Sequence, residues 1–179
     1  MNKDMIEKPI KKNRVYKGKI LELFCDDVKL PNGSLSIREY LNNTGASAVL
    51  PFIDKNSIIL VKQYRYPLSK ITYELPAGKM DKGETPLECA VRELREETGY
   101  RAKKLETVLS FYPTAAFSTE IIHIFAAFGL EGGKEKLDED EFVSKEILNF
   151  QDAIRMVKTG VIKDSKTIIA LLYFENILE

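Results

Sequence analysis

Between Gly78 and Tyr100 the chain reads GKMDKGETPLECAVRELREETGY, and this stretch constrains the fold more than any other. Thr85-Pro86-Leu87-Glu88 combines a threonine N-cap, a proline at the first helical position and a glutamate that reaches back to the cap's own N–H. Gly99 enters the left-handed region without steric cost, so the spacing predicts a helix over 86–98, about 20 Å long. At about 100° per residue, Glu93, Glu96 and Glu97 share one face of that helix. Leu87, Val91, Leu94 and Thr98 form an adjacent apolar stripe.

Carboxylates at i, i+3 and i+4 repel one another unless positive charge lies among them. Two readings follow. Arg92 and Arg95 neutralise part of the charge on a solvated, ion-paired face, or the cluster is a hard-cation site, because carboxylate oxygens suit Mg²⁺ and Mn²⁺.

Composition narrows the classes. A chain of 179 residues, 44% of them apolar, can bury the core of one domain with a small extension. Lys and Arg number 27 and so do Asp and Glu, which lacks the basic excess of nonspecific nucleic-acid binding. Cys25 and Cys89 are far apart and His123 is the single histidine, so neither a zinc site nor a disulfide framework is expected. His123 alternates within an apolar strand pattern and reads as a packed histidine, and Cys89 as a small filler at the helix start. The first twelve residues carry no apolar run of a secretory signal, and Ile121–Leu130 falls short of the ~20 residues that cross a bilayer. The expectation is a soluble, reduced, cytoplasmic protein without nucleic acid or membrane as partner.

Along the chain, residues 1–12 read as a mobile basic lead-in, followed by a strand meander from Arg14 to Tyr40 with a turn at Pro31-Asn32-Gly33. Strand patterns recur at 47–53 and 57–66 around an Asp54-Lys55-Asn56 turn, and the segment 71–78 then leads into a loop rich in Gly, Lys and Asp. Beyond the helix lie strands at 103–112 and 119–130 around a loop at 113–118, then an acidic loop at 131–141. The segment FVSKEIL follows, and helices near 151–158 and 165–177 complete a mixed α/β or α+β pattern.

The spacing of Gly78, Glu84, Arg92, Glu93, Leu94, Glu96, Glu97 and Gly99 matches the Nudix box, G-x5-E-x7-R-E-U-x-E-E-x-G-U, with Tyr100 at the final aliphatic position. Chance would produce the fixed positions in a chain this size about once in ~10⁶. The chain therefore resembles the Nudix hydrolases. Arg38-Glu39, Gln63-Tyr64-Arg65, the Glu74–Gly78 segment ELPAG and the 137–141 segment LDEDE are similar to the ADP-ribose pyrophosphatase subfamily. This resemblance implies an α/β/α sandwich with a mixed sheet over 45–179. It also implies a small antiparallel β-region over 1–44 that helps form a domain-swapped homodimer.

The resemblance further implies hydrolysis of a nucleoside diphosphate linked to another moiety, with two to three Mg²⁺ or Mn²⁺ ions per site. Glu93 and Glu97 would be metal ligands joined by the Ala77 carbonyl, with Glu96 a ligand directly or through water. Glu84 and Arg92 would support the loop at Gly78 and orient the ligands. Glu139 matches the general base on a mobile acidic loop, and Glu141 would be a further metal or substrate contact. Arg65 and Arg38 are candidates for phosphate contact because guanidinium recognises phosphate in a bidentate manner. Glu39, Glu120 and Tyr16 match substrate-contacting regions.

One departure bears on specificity. The subfamily carries a proline about 15 residues beyond the box, and here that position is Ala115, with Pro113 two residues earlier. The substrate expectation is ADP-ribose or a related ADP-sugar, cleaved to AMP and a sugar phosphate. The alternatives are a Nudix pyrophosphatase of other specificity (dinucleoside polyphosphates, NADH, coenzyme A or oxidised nucleotides) and, from another class, a non-catalytic nucleotide sensor.

Overall fold

Residues 5–133 and 142–178 are described by a computed structural model. They gather into two units, Met1–Thr44 with Thr114–Glu120, and Gly45–Pro113 with Ile121–Glu179.

The N-terminal unit is an antiparallel sheet organised on β3 (Glu22–Lys29), which pairs with β1 (Lys8–Lys11), β2 (Arg14–Lys17) and β4 (Leu35–Leu41). The lead-in expected over residues 1–12 is thus corrected: Lys8–Lys11 is a strand. All four of its residues are exposed, so it has no buried-face alternation to read, and its position at a sheet edge tolerates Pro9. The run from Val15 to Phe24 is broken into a hairpin where the Gly18 N–H donates to the Leu21 carbonyl at 2.8 Å. Buried Asp26 accepts from the Asn13 N–H at 2.9 Å and the Tyr40 hydroxyl at 3.0 Å, while Phe24 stacks on Tyr40. Residues 114–120 join this unit through the Leu41 N–H on the Phe117 carbonyl and the Thr119 N–H on the Leu41 carbonyl.

The larger unit is layered. Strands β5 (Ala46–Pro51), β6 (Ser57–Arg65), β7 (Lys70–Glu74) and β8 (Ala77–Lys79) precede helix α1 (Pro86–Thr98). Then come β9 (Arg101–Phe111), β10 (Ile122–Glu131), β11 (Val143–Asn149), α2 (Phe150–Lys158) and α3 (Ser165–Leu178). One sheet has the order β8-β5-β10-β9 and is mixed: β5 and β10 are parallel and the other pairs antiparallel. An antiparallel sheet of order β11-β6-β7 accompanies it.

Both faces of β5 and β10 are buried, which explains their nearly continuous apolar sequence. Ala48, Leu50, Ile122, Ile124 and Ala126 point to one side, where Ala153 and Ile154 of α2 and Ala170 and Leu171 of α3 cover them. Val49, Phe125 and Ala127 point to the other, against Ala90 and Leu94 of α1. Helices on opposite sides of a mixed sheet make this the expected α/β/α sandwich.

Helix α1 carries the cap its sequence specifies. Thr85 Oγ1 accepts from the Glu88 N–H at 3.3 Å, and Glu88 Oε2 accepts from the Thr85 N–H at 2.9 Å. Gly99 closes the helix at φ 75°, its N–H donating to the Arg95 carbonyl at 2.9 Å. Thr85→Ala is expected to cost about 1 kcal/mol and to lower the melting temperature by about 2–4 °C, read by calorimetry.

Candidate active site

Strand β8 runs antiparallel to β5, pairing Ala77 with Ala48 and Gly78 with Ser47, and a short loop then returns the chain into α1. This places Ala77 and Gly78 directly against the carboxylate face of the helix. Glu93 is 8% exposed and Glu97 4%, whereas Leu87 and Val91 are each 48% exposed. The helix therefore does not bury the apolar stripe as a unit. Leu94 and Thr98 are buried, but the buried arc is centred on Ala90 and Glu97 rather than on Val91. Burying charged groups is costly unless they are paired or ligating, so the orientation of α1 is itself informative.

Arg92 organises the carboxylates. Its Nε donates to Glu84 Oε1 at 2.8 Å and its Nη2 to Glu84 Oε2 at 2.9 Å, a bidentate pair. Its Nη1 donates to Glu93 Oε1 at 2.6 Å and Glu96 Oε2 at 3.1 Å, and Nη2 also reaches the Lys79 carbonyl at 3.0 Å. The hydrogen bonds that Arg92 donates hold the Glu84 carboxyl down at about 2, and the same bonds raise the Arg92 guanidinium. Glu84 also accepts from the Asp81 N–H at 2.9 Å, which fixes the loop into the helix. Glu97 Oε2 accepts from the Ala77 N–H at 3.0 Å.

Gly78 has a steric reason to be glycine. A Cβ there would lie 2.6 Å from Glu93 Oε2, and closer still to Oε1 and Cδ. Cys89 is fully buried with its Sγ 3.4 Å from the Gly78 carbonyl, and burial pushes its thiol up to about 11, far from a reactive thiolate.

Among the described residues, no three acidic, His or Cys side chains converge as the ligands of a metal ion do. Arg92 stands among the glutamates instead. The donors nevertheless suit a hard cation: Glu84, Glu93, Glu96 and Glu97 offer only carboxylate oxygens, Glu93 and Glu97 are buried, and Arg92 pairs with Glu84, Glu93 and Glu96 at once.

A second charged cluster lies at the ends of β6 and β7. Arg65 donates from Nε to Glu74 Oε1 at 2.8 Å and from Nη2 to Glu74 Oε2 at 2.7 Å. Thr72 Oγ1 donates to Glu74 Oε1 at 2.6 Å, and Lys166 of α3 donates to Oε2. Burial alone would push the Glu74 carboxyl up, but the Arg65 hydrogen bonds and the Lys166 charge outweigh it and hold the group down at about 2. Arg65 feels Glu97 of the carboxylate helix as well as its own partner.

Arg38, Glu39, Tyr16 and Glu120 belong to the N-terminal unit. Arg38 is paired with Glu7, Tyr16 is exposed on β2, and Glu120 accepts from Asn43 Nδ2 at 3.0 Å. Glu39 stands opposite Cys25 in the β3–β4 register. Ala115 lies in the turn that follows Pro113. His123 sits opposite Ser110, whose Oγ is 2.7 Å from Nδ1, and burial lowers its pKa. The acidic-loop candidates Glu139 and Glu141 lie outside the described residues. Sequence reasoning passed over Glu74 as a side chain and over Asp164 and Lys166 entirely. The one local signal was Asp164 before a helix, and it caps α3 by accepting from the Thr167 N–H at 3.1 Å.

The model of the NUDIX domain family matches residues 42–172. An ADP-ribose pyrophosphatase of Bacillus subtilis strain 168 is 45% identical over 175 residues, covering 97% of this chain and 95% of that protein. A methanol dehydrogenase activator of Bacillus methanolicus is 44% identical over 177 residues, covering 98% and 96%. The solved structure of an ADP compounds hydrolase superposes with a TM-score of 0.85, covering 96% of this chain and 94% of that one at 21% identity, a likeness of fold. Among the described residues no helix is long and apolar enough to cross a membrane. With the box residues gathered at the β8–α1 junction and the family model spanning most of the chain, the protein belongs to the Nudix family.

Proposed function

We propose that the chain is a cytoplasmic, divalent-metal-dependent pyrophosphatase that hydrolyses ADP-ribose or related ADP-sugars to AMP and a sugar phosphate. The observation that carries this reading is the gathering of Glu84, Glu93 and Glu96 on Arg92 with Glu97 held on the Ala77 N–H, a cluster of carboxylate oxygens beside Ala77 and Gly78 of the kind a hard cation takes. The Bacillus subtilis relative supports ADP-ribose as the substrate.

Glu93, Glu96, Glu97 and the Ala77 carbonyl are the groups that would hold two to three Mg²⁺ or Mn²⁺ ions, with Glu141 a further contact. Bound there, divalent ions supply charge neutralisation of the pyrophosphate and acidification of the attacking water. Arg92 and Glu84 keep the Glu93 and Glu96 carboxylates at the mouth of the β8–α1 junction. Glu139 accepts the proton of the water as its oxygen bonds to phosphorus and the bridging P–O bond breaks. Arg65 steadies a phosphate through the guanidinium edge that Glu74 does not use, and Arg38, Glu39, Glu120 and Tyr16 contact the rest of the substrate. Glu139→Gln is expected to reduce kcat by at least ~10² while calorimetric Mn²⁺ affinity changes little.

We further propose that the chain is a homodimer formed through the N-terminal unit. Ile10, Val15, Leu35 and Ile37, all on its strands, are more than half exposed, which suits an interface. Light scattering would then give about twice the 20.4 kDa chain mass, and a monomer would refute it.

A second reading keeps the chemistry and changes the substrate. It is favoured by Ala115 at the subfamily's proline position and by the 44% identity to a protein named as a dehydrogenase activator. The discriminating experiment compares kcat/KM for ADP-ribose with NADH, diadenosine polyphosphates, UDP- and GDP-sugars, coenzyme A and oxidised nucleotides. ADP-ribose at or above ~10⁴ M⁻¹s⁻¹ supports the first reading. A tenfold better alternative supports the second.

A further inference from the structure

The Glu74 carboxylate is 2% exposed and fully engaged: Oε1 accepts from Arg65 Nε and Thr72 Oγ1, and Oε2 from Arg65 Nη2 and Lys166 Nζ. Lys166 is 8% exposed and its remaining contact is Asp164 Oδ1 at 3.0 Å. Asp164 Oδ2 accepts from Thr167 Oγ1 at 2.6 Å, and that oxygen in turn accepts from the Leu75 N–H at 2.8 Å. The first turn of α3 is thus bolted to the residue pair Glu74-Leu75, immediately ahead of Pro76, Ala77 and Gly78.

This arrangement has a consequence for Arg65. Its Nε/Nη2 edge is clamped on Glu74, and among the described residues its Nη1 makes no hydrogen bond. The guanidinium side chain is 42% exposed and borders a cleft with Pro67, Leu68 and Lys163. A guanidinium held by one edge presents the other in a fixed plane, which is the geometry for bidentate phosphate recognition. The charges also close: Arg65 and Lys166 balance Glu74 and Asp164. Without Lys166, Glu74 would have Arg65 as its remaining cation, and the group facing the phosphate would carry a net negative charge.

We propose that Lys166, held by Asp164, is a positioning residue that fixes Glu74 and through it aims the open edge of Arg65 at a substrate phosphate. The proposal deepens the reading of Arg65 given above and rests on it. Lys166 acts at a distance of 92 residues in sequence from Glu74, from a helix outside the Nudix box.

The test is a double-mutant cycle of Lys166→Met and Arg65→Ala, with Lys166→Arg as the conservative variant. Two readouts are taken on all four proteins: kcat and KM for ADP-ribose, and calorimetric Kd for inorganic pyrophosphate. Lys166→Met is expected to raise KM and Kd about tenfold with kcat within about threefold, and Lys166→Arg to restore most of the loss. In the Arg65→Ala background, Lys166→Met should change either value by less than about twofold, because its route of action is already gone. Equal losses in both backgrounds would mean a merely structural lysine and overturn the proposal, as would an Arg65→Ala variant that binds pyrophosphate normally. A wild type that binds pyrophosphate through Arg65 and Lys166 yet leaves ADP-ribose uncleaved would support the proposal and sink the substrate assignment. If Lys166→Met shows no cooperative melt, Thr72→Val, which removes one hydrogen bond from Glu74, takes its place in the same cycle.

Discussion

Replacing Glu97 by glutamine is expected to lower kcat on the order of 10³-fold with the fold intact. The amide has the volume of the carboxylate, and its carbonyl oxygen can still accept the Ala77 N–H that Glu97 Oε2 accepts at 3.0 Å. The amide keeps the packing at a position that is 4% exposed, so the melting temperature should stay within about 3 °C. What is lost is a full negative charge where cation binding and transition-state charge stabilisation require it. Steady-state kinetics with a parallel thermal melt separates the two effects. Activity within tenfold of wild type would remove Glu97 from the chemistry.

The second large effect comes from one carbon atom. Gly78→Ala is expected to reduce kcat by about 10² while leaving the melting temperature within about 3 °C. The new Cβ would overlap the Glu93 carboxylate, whose Oε2 is 2.6 Å from it. The obstacle is the end of a flexible side chain, so the backbone need not move and the stability cost is small. Gly78 does not have a positive φ, so alanine is compatible with its backbone. Glu93, however, must leave its place beside Arg92 Nη1 and the β8 strand. A stable protein with lost turnover is the expected signature. Loss of both together would point to a structural role for Gly78.

These two predictions rest on features that differ in how readable they were. The α1 boundaries were visible because every determinant is local: Thr85, Pro86, Glu88 and Gly99 each act within one turn. The side the helix buries was not. Periodicity placed Leu87 and Val91 in an apolar stripe, but which arc meets the sheet depends on where β5 and β8 lie, and there the buried positions include Glu93 and Glu97. Strand β1 escaped notice because its residues are exposed and it exists through pairing with β3.

The ion pairs were the least legible. Arg38 as a guanidinium for substrate was a chemical inference from residue type, and nothing near it in sequence pointed to Glu7, 31 residues away. The same holds for Glu74, which the strand register sets opposite Val61 and which meets Arg65 by side-chain reach and Lys166 through the packing of α3. Residue type shows what a side chain can do, and tertiary pairing decides which edge of it remains available. That is why Arg65 could be singled out from sequence while the residues that hold it could not.

The central claim is that the buried carboxylate face of α1 supports metal-dependent cleavage of the diphosphate linkage of ADP-ribose. It is tested most directly by ³¹P NMR of ADP-ribose incubated with the protein, with Mg²⁺ or Mn²⁺ and then with excess chelator. The account predicts conversion to AMP and ribose 5-phosphate with either metal and none with chelator. Undiminished cleavage in chelator, or intact ADP-ribose alongside both metals, would contradict it.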